Sequence, residues 1–355
     1  MSETWAVVMA GGSGTRFWPI GRRERPKQLL ALRGDETLIQ ATLARVPERI
    51  GPERTLVVTR ADQRDALLAQ VDLPPENVIG EPEGRDTCAC IALAAHVVET
   101  RDPGATMIVM AADHVIEPAE AFHAALVRAE RAAAAEDALV TFGVRPTAPA
   151  TGYGYLETGR DLGEGLFEVA AFREKPNLET ARRFLADGRH LWNAGIFVWR
   201  ARVVLDEIAR QQPALASALA PLAAAVDGPE FASRLVEVYP SLPKISIDYA
   251  VMERAGRVLT VAVDFAWDDI GSLAAIERHN PRDADGNTRR GEVVAIDVSR
   301  SIVDNREPGV VALIGVEDLV VIRTKDAVLV AAKDQIERVR EVVARLEAEG
   351  RDEVL

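Results

Sequence analysis

The sequence predicts an α/β protein with a doubly wound sheet, followed by a small all-β unit and a C-terminal helix. Over the first half of the chain, short β-branched runs alternate with longer segments of helical periodicity. Around residues 283–290 the chain turns polar, and closely spaced β runs follow. The segment 334–350 places apolar residues on one helical face, namely Ile336, Val339, Val343 and Leu346.

The elements of the first half alternate regularly. The predicted strands are Trp5–Met9, Thr55–Val58 and Met107–Met110, and the predicted helices are Thr37–Val46, Asp62–Gln70, Asp86–Glu99 and Ala119–Ala135. This alternation predicts an open parallel sheet covered by helices on both faces. Ligands of such sheets bind at the carboxyl ends of the strands. The glycines after Met9 and the acid after Met110 stand at two such ends.

The second half is less regular. Its predicted strands are Gly154–Glu157, Glu168–Arg173 and Ile196–Trp199, with an Ala-rich helix around Pro213–Val226, and we assign them to the same domain. The β runs of the last part are Glu292–Val298, Val310–Gly315, Leu319–Thr324 and Ala327–Ala331. We therefore predict two domains, residues 1–282 and residues 283–355.

Composition and charge exclude several classes of protein. The 355 residues include 42 Lys plus Arg against 55 Asp plus Glu, a net charge of −13, which argues against binding nucleic acid or an anionic membrane by bulk charge. The longest apolar run, Cys88–Val98, is far short of the ~20 residues of a membrane span. Glu3 stands where a signal peptide would be basic, and two cysteines are too few for a disulfide framework. We expect a cytoplasmic protein without nucleic-acid or membrane partners.

A glycine-rich turn directly follows the first predicted strand. Gly11, Gly12 and Gly14 would let backbone N–H groups approach an anion closely, although neither the dinucleotide fingerprint nor the Walker A spacing is present. Arg16 and Lys27 could neutralise a triphosphate. The alternative is a tight turn beside solvated arginines. Lys27 is followed by apolar residues, so it lies on ordered chain, which favours a functional role.

The string GGSGTRFWPIGRRERPKQLL, residues 11–30, resembles the signature of the sugar-1-phosphate nucleotidyltransferases. Its Phe-Trp-Pro and Pro-Lys-Gln elements resemble the mannose-1-phosphate guanylyltransferase branch, and Gly21 departs from the usual serine. The resemblance implies a Rossmann-like mixed sheet followed by a short left-handed β-helix. It implies catalytic roles for Arg16 and Lys27, and nucleotide contacts from Gly11, Gly12, Ser13, Gly14 and Thr15.

The segment Glu81–Cys88 resembles the base-reading loop of that family, and the implied nucleotide-binding residues are Glu81, Gly84, Arg85, Asp86 and Thr87. Asp86 replaces the usual asparagine. Its carboxylate could accept hydrogen bonds from N1–H and the exocyclic amine of guanine, or it could cap the helix that begins there. Cys88 and Cys90 occupy positions usually held by small residues or proline, and we expect packing roles for both.

Two acids far apart in the sequence match the metal ligands of the family. The resemblance implies that Asp113, in Ala-Ala-Asp-His, and Asp269, in Trp-Asp-Asp-Ile-Gly, are catalytic and hold Mg²⁺. Mg²⁺ prefers oxygen ligands and commonly takes one or two carboxylates plus substrate phosphates. Asp268 is the local alternative to Asp269, and Asp113 alone could be a turn former. We expect a structural role for the neighbouring His114.

Four further segments match the sugar side of the family. They imply that the sugar phosphate is bound by Gly152, Glu174, Lys175, Asn193 and Asp248. A side chain at Gly152 would crowd the ligand. A surface ion pair is the alternative for Glu174 and Lys175, and a plain helix N-terminus is the alternative for Asp248.

The implied reaction is Mg²⁺-assisted in-line attack of mannose 1-phosphate on the α-phosphorus of GTP, giving GDP-mannose and pyrophosphate. One alternative is the same chemistry with another hexose 1-phosphate or another base. Another is a catalytically silent nucleotide-sugar sensor, which would be expected to have lost Lys27, Asp113 or Asp269.

The β unit is expected to be a packing or dimerisation module of a homodimer. Longer family members carry an added isomerase domain, and since this chain ends at Leu355 we expect the transferase alone.

Overall fold

The computed structural model describes residues 3–12 and 14–355. Its strands are β1 Thr4–Ala10, β2 Thr55–Arg60, β3 Val78–Glu81, β4 Thr106–Ala111, β5 Val115–Glu117, β6 Leu139–Val144, β7 Tyr155–Gly163, β8 Leu166–Arg173, β9 His190–Arg200, β10 Val258–Val263, β11 Ala266–Asp268, β12 Thr288–Arg290, β13 Val293–Ile296, β14 Ile302–Asn305, β15 Val311–Ile314, β16 Leu319–Arg323 and β17 Val328–Ala332.

The α-helices are α1 Leu38–Ala44, α2 Arg64–Leu68, α3 Asp86–Arg101, α4 Ala119–Glu136, α5 Leu178–Asp187, α6 Ala201–Gln211, α7 Pro213–Ala223, α8 Phe231–Val238, α9 Ala275–His279 and α10 Val339–Ala348. A π-helical turn covers Asp248–Met252. The 3₁₀ turns are Thr15–Phe17, Lys27–Leu29, Pro52–Arg54, Ala61–Gln63, Pro75–Asn77, Tyr239–Ser241, Lys333–Arg338 and Asp352–Val354.

The chain divides into two compact units whose segments interleave in the sequence. The first comprises the chain up to residue 11 with residues 45–112 and 116–267, and the second comprises 12–44, 113–115 and 268–355. The two units are defined by contacts within the fold, so they do not correspond to a single cut along the chain. The predicted domain boundary after residue 282 is such a cut, and it stays a prediction.

The first unit is built on a nine-stranded mixed sheet with the order β3-β2-β1-β4-β9-β6-β10-β8-β7. Strands β3, β2, β1 and β4 run parallel, and β9 lies antiparallel between β4 and β6. Strand β1 is almost entirely apolar and buried, as expected for a parallel strand covered on both faces. The predicted mixed α/β sheet is confirmed, and the carboxyl ends of β1 and β3 place Gly11 and Glu81 at one edge.

Helix α3 runs through the core of this unit. Its buried residues are mainly alanines, valines and the two cysteines, whose small side chains allow neighbouring elements to approach closely. Cys88 and Cys90 are free thiols, and burial raises the pKa of Cys88 to about 12, with a smaller contribution from Asp86. A thiol that stays protonated is a poor nucleophile, which supports the packing role.

The second unit contains the short strands of the C-terminal region. Strands β12, β14 and β16 pair in parallel, β17 closes that sheet antiparallel, and β13 and β15 form a separate parallel pair. Strands 14–18 residues apart therefore stack as successive coils. Ile302, Val320 and Ile322 share a buried core with Leu30 and Leu32. The predicted all-β unit is confirmed, and the left-handed sense of its coil stays a prediction.

The C-terminal helix differs slightly from the prediction. The segment predicted as one helix from residue 334 begins with a 3₁₀ turn, and only Val339–Ala348 is α-helical. Ile336, Val339 and Val343 are buried in the core of the second unit, so the apolar stripe packs on protein as expected. No helix in the described part of the chain is long and apolar enough to cross a membrane.

Gly143 in β6 yields a stability prediction. A Cβ at this position would lie 2.5 Å from Leu191 Cδ1 and 2.8 Å from Thr260 Oγ1, so Gly143→Ala is expected to lower the free energy of unfolding by about 1–3 kcal/mol. Gly256→Ala is the matched control, because nothing lies within 4 Å of its Cβ position. Urea unfolding of both variants checks this, and equal midpoints would contradict the close packing at Gly143.

Candidate active site

The side chain of Lys27 lies between two acidic residues of the second unit. Its Nζ donates to Asp113 Oδ2 at 2.7 Å and to the backbone carbonyl of Asp269 at 2.6 Å. Lys27 is 8% exposed, and its ammonium lies 5.5 Å from the centre of the Phe17 ring. A buried ammonium is costly unless it is paired and hydrogen-bonded, and both conditions are met here. Three predicted catalytic residues, Lys27, Asp113 and Asp269, are therefore brought together.

The glycine-rich turn fits closely against the backbone of Lys27. Gly14 has a φ of 64°, and a Cβ there would lie 2.6 Å from the backbone nitrogen of Lys27. Only glycine satisfies both constraints without strain. Gly21 is similarly close, because a Cβ would lie 3.0 Å from Gly14 O and from Phe17 Cβ. The departure from serine at Gly21 therefore suits the packing of this turn.

The Asp113 carboxylate is kept in its charged form. Burial would raise the pKa of Asp113, but the nearby Lys27 and His114 side chains and the hydrogen bond from Lys27 lower it, and the net shift is downward. The His114 ring nitrogen Nε2 lies 3.8 Å from Asp113 Oδ1. An ionised carboxylate at a strand end is a suitable ligand for a hard divalent cation.

Asp268 and Asp269 differ in what surrounds them. Asp268 accepts hydrogen bonds from Arg278 Nε at 2.6 Å and from Ile270 N at 2.9 Å. Its Oδ2 also pairs with His279 Nε2 at 2.8 Å. Although burial opposes it, these partners hold the pKa of Asp268 well below its usual range. Both oxygens of Asp268 thus serve local structure, which favours Asp269 as the metal ligand.

The carboxylates of Asp113 and Asp269 fit Mg²⁺ better than a metal ion that takes all of its ligands from the protein. Among residues 3–12 and 14–355, no group of three or more His, Cys, Asp or Glu side chains could hold a metal ion. Two carboxylates, Asp113 and Asp269, are enough for Mg²⁺ when substrate phosphates complete the shell. Transition-metal sites of nitrogen and sulfur ligands would need more.

The remaining predicted residues of the glycine-rich turn lie at the surface. Gly12, Thr15 and Arg16 are exposed, and Thr15–Phe17 forms a 3₁₀ turn. Ser13 lies outside the described residues. An exposed backbone with an arginine beside it is accessible to a polyphosphate.

In the first unit, Glu81 is a buried carboxyl group beside the start of the glycine-rich turn. Tyr239 Oη donates to Glu81 Oε1, and a Cβ on Gly11 would lie 3.5 Å from Glu81 Oε2. Burial raises the pKa of Glu81 to about 7, and the hydrogen bond from Tyr239 moderates the shift. Near neutral pH this group can therefore either donate or accept a hydrogen bond.

The loop after Glu81 is tied to the segment 245–247. Thr87 Oγ1 accepts from Ile247 N at 2.9 Å, and Cys88 N donates to Ile245 O at 3.2 Å. Asp86 is exposed with a φ of 64°, and its Oδ1 accepts from Thr87 N at 2.8 Å. This contact with the adjacent residue is not the helix cap that the alternative expects, because Asp86 is the first residue of α3 and the helix has no side-chain cap hydrogen bond. The outer face of the carboxylate stays exposed.

Gly84 and Arg85 complete this loop. Gly84 is exposed, and nothing lies within 4 Å of its Cβ position. Arg85 Nη2 donates to Glu83 Oε2 at 2.5 Å and to the Pro240 carbonyl. The arginine is thus engaged in holding the loop against the 3₁₀ turn Tyr239–Ser241.

A chain of hydrogen bonds fixes Asn193 on β9. Its Oδ1 accepts from Thr141 Oγ1 at 2.7 Å, and its Nδ2 donates to Asp248 Oδ1 at 3.0 Å. Burial, and then the negative charge of Glu174, raise the pKa of Asp248 to about 7. Asn193 and Asp248, predicted separately from two segments, are therefore neighbours.

Glu174 and Lys175 form the ion pair of the alternative interpretation, but only one of them is at the surface. Lys175 Nζ lies 3.2 Å from Glu174 Oε1, with the glutamate side chain 8% exposed and the lysine 55% exposed. Burial raises the pKa of Glu174 despite the lysine, whereas the pKa of Lys175 is raised by Glu174 against the effect of burial. The pair thus presents an exposed cation above a buried carboxyl group.

The glycines of this region differ in what constrains them. Gly152 is exposed with nothing within 4 Å of its Cβ position, so packing within the chain does not require glycine there. Gly154 is buried, and a Cβ would overlap Glu174 Oε2 and approach Phe172 Cζ at 3.1 Å. A side chain at Gly154 would therefore have to displace the Glu174 carboxyl group.

Sequence reasoning missed four residues of these clusters. Tyr239 donates to Glu81, Thr141 holds Asn193, Glu253 Oε1 accepts from Glu174 N at 3.0 Å, and Gly154 makes room for Glu174. Glu253 ends the segment Ser246–Glu253, which matches the sugar side of the family, so its charge was an available signal. Nothing in the sequence pairs Tyr239 or Thr141 with their partners.

The raised pKa of Glu81 yields a prediction for stability against pH. An unfolded glutamate titrates near pH 4.3, whereas Glu81 titrates at about 7 in the fold. The neutral Glu81 carboxyl group contributes fully to the free energy of unfolding below about pH 4, and this contribution is lost as the pH rises through about 7. We expect Glu81→Gln to gain stability relative to the parent between pH 4 and 8, by on the order of 3 kcal/mol.

Urea unfolding across that pH range measures the difference. Glu83→Gln removes an exposed carboxylate two residues away and is the matched control. A Glu81→Gln profile that runs parallel to the Glu83→Gln profile would contradict the assignment.

Comparisons with known proteins agree with these motifs. The family model described as nucleotidyl transferase matches residues 5–286, and the model described as MannoseP isomerase/GMP-like beta-helix domain matches residues 291–346. A mannose-1-phosphate guanylyltransferase of Escherichia coli strain K12 is 41% identical over 99% of this chain and 75% of its own length. The alginate biosynthesis protein AlgA of Pseudomonas aeruginosa is 37% identical over 98% of this chain and 73% of its own length.

Solved structures give the same assignment. A Thermus thermophilus protein described as a mannose-1-phosphate geranyltransferase superposes with a TM-score of 0.87 at 38% identity, over 97% of this chain and 99% of that chain. A UDP-glucose pyrophosphorylase, 16% identical, matches 78% of this chain and 96% of its own with a TM-score of 0.52, and shares the fold alone. The predicted family is confirmed: the chain belongs to the nucleotidyl transferases, in the group of the mannose-1-phosphate guanylyltransferases, with a C-terminal β-helix domain.

Proposed function

We propose that this chain transfers GMP from GTP to α-D-mannose 1-phosphate, giving GDP-mannose and pyrophosphate. The observation that carries the proposal is the buried Lys27 ammonium on Asp113 and Asp269, in a chain 41% identical over 99% of its length to a mannose-1-phosphate guanylyltransferase. The residues that the alternative sensor function would be expected to lack are present and in contact. This arrangement favours an enzyme.

The reaction would be an in-line attack of the sugar phosphate oxygen on the α-phosphorus of GTP. Such transfers depend on positioning and charge neutralisation, so no covalent nucleophile is needed. Lys27 and Arg16 would stabilise the negative charge that spreads over the α-phosphate and the leaving pyrophosphate. Mg²⁺, held by Asp113 and Asp269, would supply further neutralisation of that charge. Gly11, Gly12, Ser13, Gly14 and Thr15 would donate backbone hydrogen bonds to the phosphates.

Base recognition is assigned to the loop Glu81–Thr87. The exposed carboxylate face of Asp86 can accept from N1–H and the exocyclic amine of guanine, a pair of donors that adenine lacks. Glu81, Gly84, Arg85 and Thr87 would shape this loop around the base. The hydrogen bond from Thr87 N orients Asp86 without using its second oxygen.

Sugar recognition is assigned to the cluster on β9 and its neighbours. Asn193 and Asp248 would bind hexose hydroxyls, Glu174 would accept from another, and Lys175 would pair with the phosphate. The exposed Lys175 ammonium can turn from Glu174 toward an anion at little cost. Gly152 would allow the ligand to approach the backbone.

The proposal extends to the setting of the enzyme. We assign residues 1–282 to the catalytic domain and residues 283–355 to the β-helix domain. We propose a homodimer, supported by the exposed branched side chains Val294, Ile296 and Ile314 on β13 and β15. The two free thiols support a reducing, cytoplasmic location.

Substrate choice is tested by pyrophosphate release in the presence of Mg²⁺. GTP, ATP, UTP, CTP and dTTP are each combined with mannose 1-phosphate and with glucose 1-phosphate. We expect strong release only from GTP with mannose 1-phosphate. Release from another pair would support the alternative of the same chemistry on other substrates, and tight GDP-mannose binding without release would identify a sensor.

Lys27→Ala is expected to lower kcat by at least about 10²-fold, since one positioned cation in such a site is worth several kcal/mol of barrier. Lys325→Ala, which removes an exposed lysine of the same unit, is the control and should retain the parent rate. Steady-state pyrophosphate release measures both. A Lys27→Ala enzyme with near-parental kcat would remove the role assigned to this lysine.

The two neighbouring aspartates are expected to behave differently. Asp269→Ala should nearly abolish turnover and its Mg²⁺ dependence, as chelation of the metal should in the parent. Asp268→Asn should lower the free energy of unfolding by about 1–3 kcal/mol through loss of its Arg278 and His279 contacts, with an unchanged Mg²⁺ dependence. Mg²⁺ titrations of activity and thermal unfolding separate the two, and the reverse pattern would make Asp268 the ligand.

A further inference from the structure

Two guanidinium groups of the second unit donate to one backbone carbonyl, that of Ala31. Arg290 Nη1 lies 3.0 Å from this oxygen and Arg306 Nη2 lies 3.1 Å from it. Arg290 ends β12, and Arg306 follows β14. Ala31 comes two residues after the 3₁₀ turn Lys27–Leu29. The β-helix strands therefore hold the chain directly beyond the lysine assigned to catalysis.

A buried carboxylate orients one of these arginines. Asp304 is 2% exposed, and its Oδ2 lies 2.9 Å from both Nε and Nη2 of Arg306. Asp304 is also the Cα partner of Arg290 in the β12–β14 ladder. Burial, together with the charges of Arg306 and Arg290, lowers the pKa of the neighbouring Arg25. Cations crowded in this way are unfavourable unless an anion and a well-placed acceptor compensate them, and Asp304 and the Ala31 carbonyl do so.

The held carbonyl is rigidly connected to Lys27. Leu30 N donates to Lys27 O at 3.0 Å, and Leu38 N donates to Leu30 O at 3.1 Å. Asn280 Nδ2 donates to Leu32 O at 2.9 Å. Leu30 and Leu32 are buried in the core of the β-helix unit. A displacement at Ala31 would therefore move the turn that carries Lys27.

We propose that Arg290 and Arg306, the second of which is oriented by Asp304, are positioning residues that hold the Lys27 ammonium on Asp113 and Asp269. They touch neither Lys27 Nζ nor its two partners, and they act through the backbone of residues 27–31. The inference rests on the proposed function, since it assigns a purpose to the placement of Lys27. The β-helix domain would then support catalysis in addition to packing.

The first test compares Arg306→Ala with Arg323→Ala. Arg323 is an arginine of β16 that donates to Asn305 and Gly309 of the same β-helix, so it is a matched control outside residues 27–31. A misplaced catalytic group costs rate more than affinity, so Arg306→Ala is expected to lower kcat by about 10–100-fold with both KM values within about twofold. Arg306→Lys, which keeps a long cationic donor at this position, should recover part of the loss. Asp304→Asn replaces Arg306→Ala if the latter does not fold.

The second test does not depend on turnover. Acetylation of lysines by an N-hydroxysuccinimide ester is followed by peptide mass spectrometry in the parent and in each variant. Lys27 should become several-fold more reactive in Arg306→Ala, because its ammonium is no longer held by Asp113 and Asp269. Lys333, which pairs with Glu277 in the same unit, should keep its parental reactivity in every variant.

These readouts distinguish a failure of the proposed function from a failure of the positioning role of Arg290 and Arg306. A parent enzyme that releases no pyrophosphate from any substrate pair refutes the proposed function, while the reactivity of Lys27 still decides the positioning role. An unchanged kcat and an unchanged Lys27 reactivity in Arg306→Ala would overturn the inference. A parallel rise for Lys27 and Lys333, or an equal loss of kcat in Arg323→Ala, would show a general loss of structure and would also overturn it.

Discussion

The Lys27 ammonium, held by the Asp113 carboxylate and the Asp269 carbonyl, is the interaction on which the second unit depends. It joins three stretches of sequence, residues 12–44, 113–115 and 268–355, into one compact unit. An ammonium that is 8% exposed would be costly without those partners, so each stretch needs the others. The constraint also explains the glycine at position 14, where any Cβ would meet the lysine backbone.

Two buried carboxyl groups of the first unit, Glu81 and Asp248, have uncharged hydrogen-bond partners instead of a cation. Glu81 and Asp248 are bonded to a tyrosine hydroxyl and an asparagine amide, and burial raises the pKa of each to about 7. A carboxyl group that is neutral or charged within a narrow pH range can match donors and acceptors of a polar ligand. Strong ion pairs would fix one state instead, as Arg278 and His279 do for Asp268. Under the proposed function, charge neutralisation and polar recognition would thus rely on different kinds of contact.

The predictable part of the fold is the part with continuous apolar runs. Strand β1 was predicted as Trp5–Met9 and is observed as Thr4–Ala10, because a strand buried on both faces is apolar throughout. Strand β6 was missed, since Gly143 interrupts it at an irregularity in the pairing with β9. In the site, motifs identified Lys27 and Asp113, but their contact spans 86 residues and only the fold reveals it. Tyr239 could not be identified from the sequence, because its role is a hydrogen bond to Glu81 in the folded chain and it belongs to no motif.

The two departures from the family pattern have different physical consequences. At Gly21 the smaller residue relieves contacts with Gly14 and Phe17, and so adjusts shape alone. Asp86 has a φ of 64°, a left-handed conformation that asparagine and aspartate both tolerate. Exchange of one for the other therefore keeps the backbone and adds a negative charge to an exposed position at the start of α3. A carboxylate only accepts hydrogen bonds, whereas an amide both donates and accepts. Under the proposed function, the departure at Asp86 would therefore restrict the base that this loop binds, whereas the departure at Gly21 would leave base choice untouched.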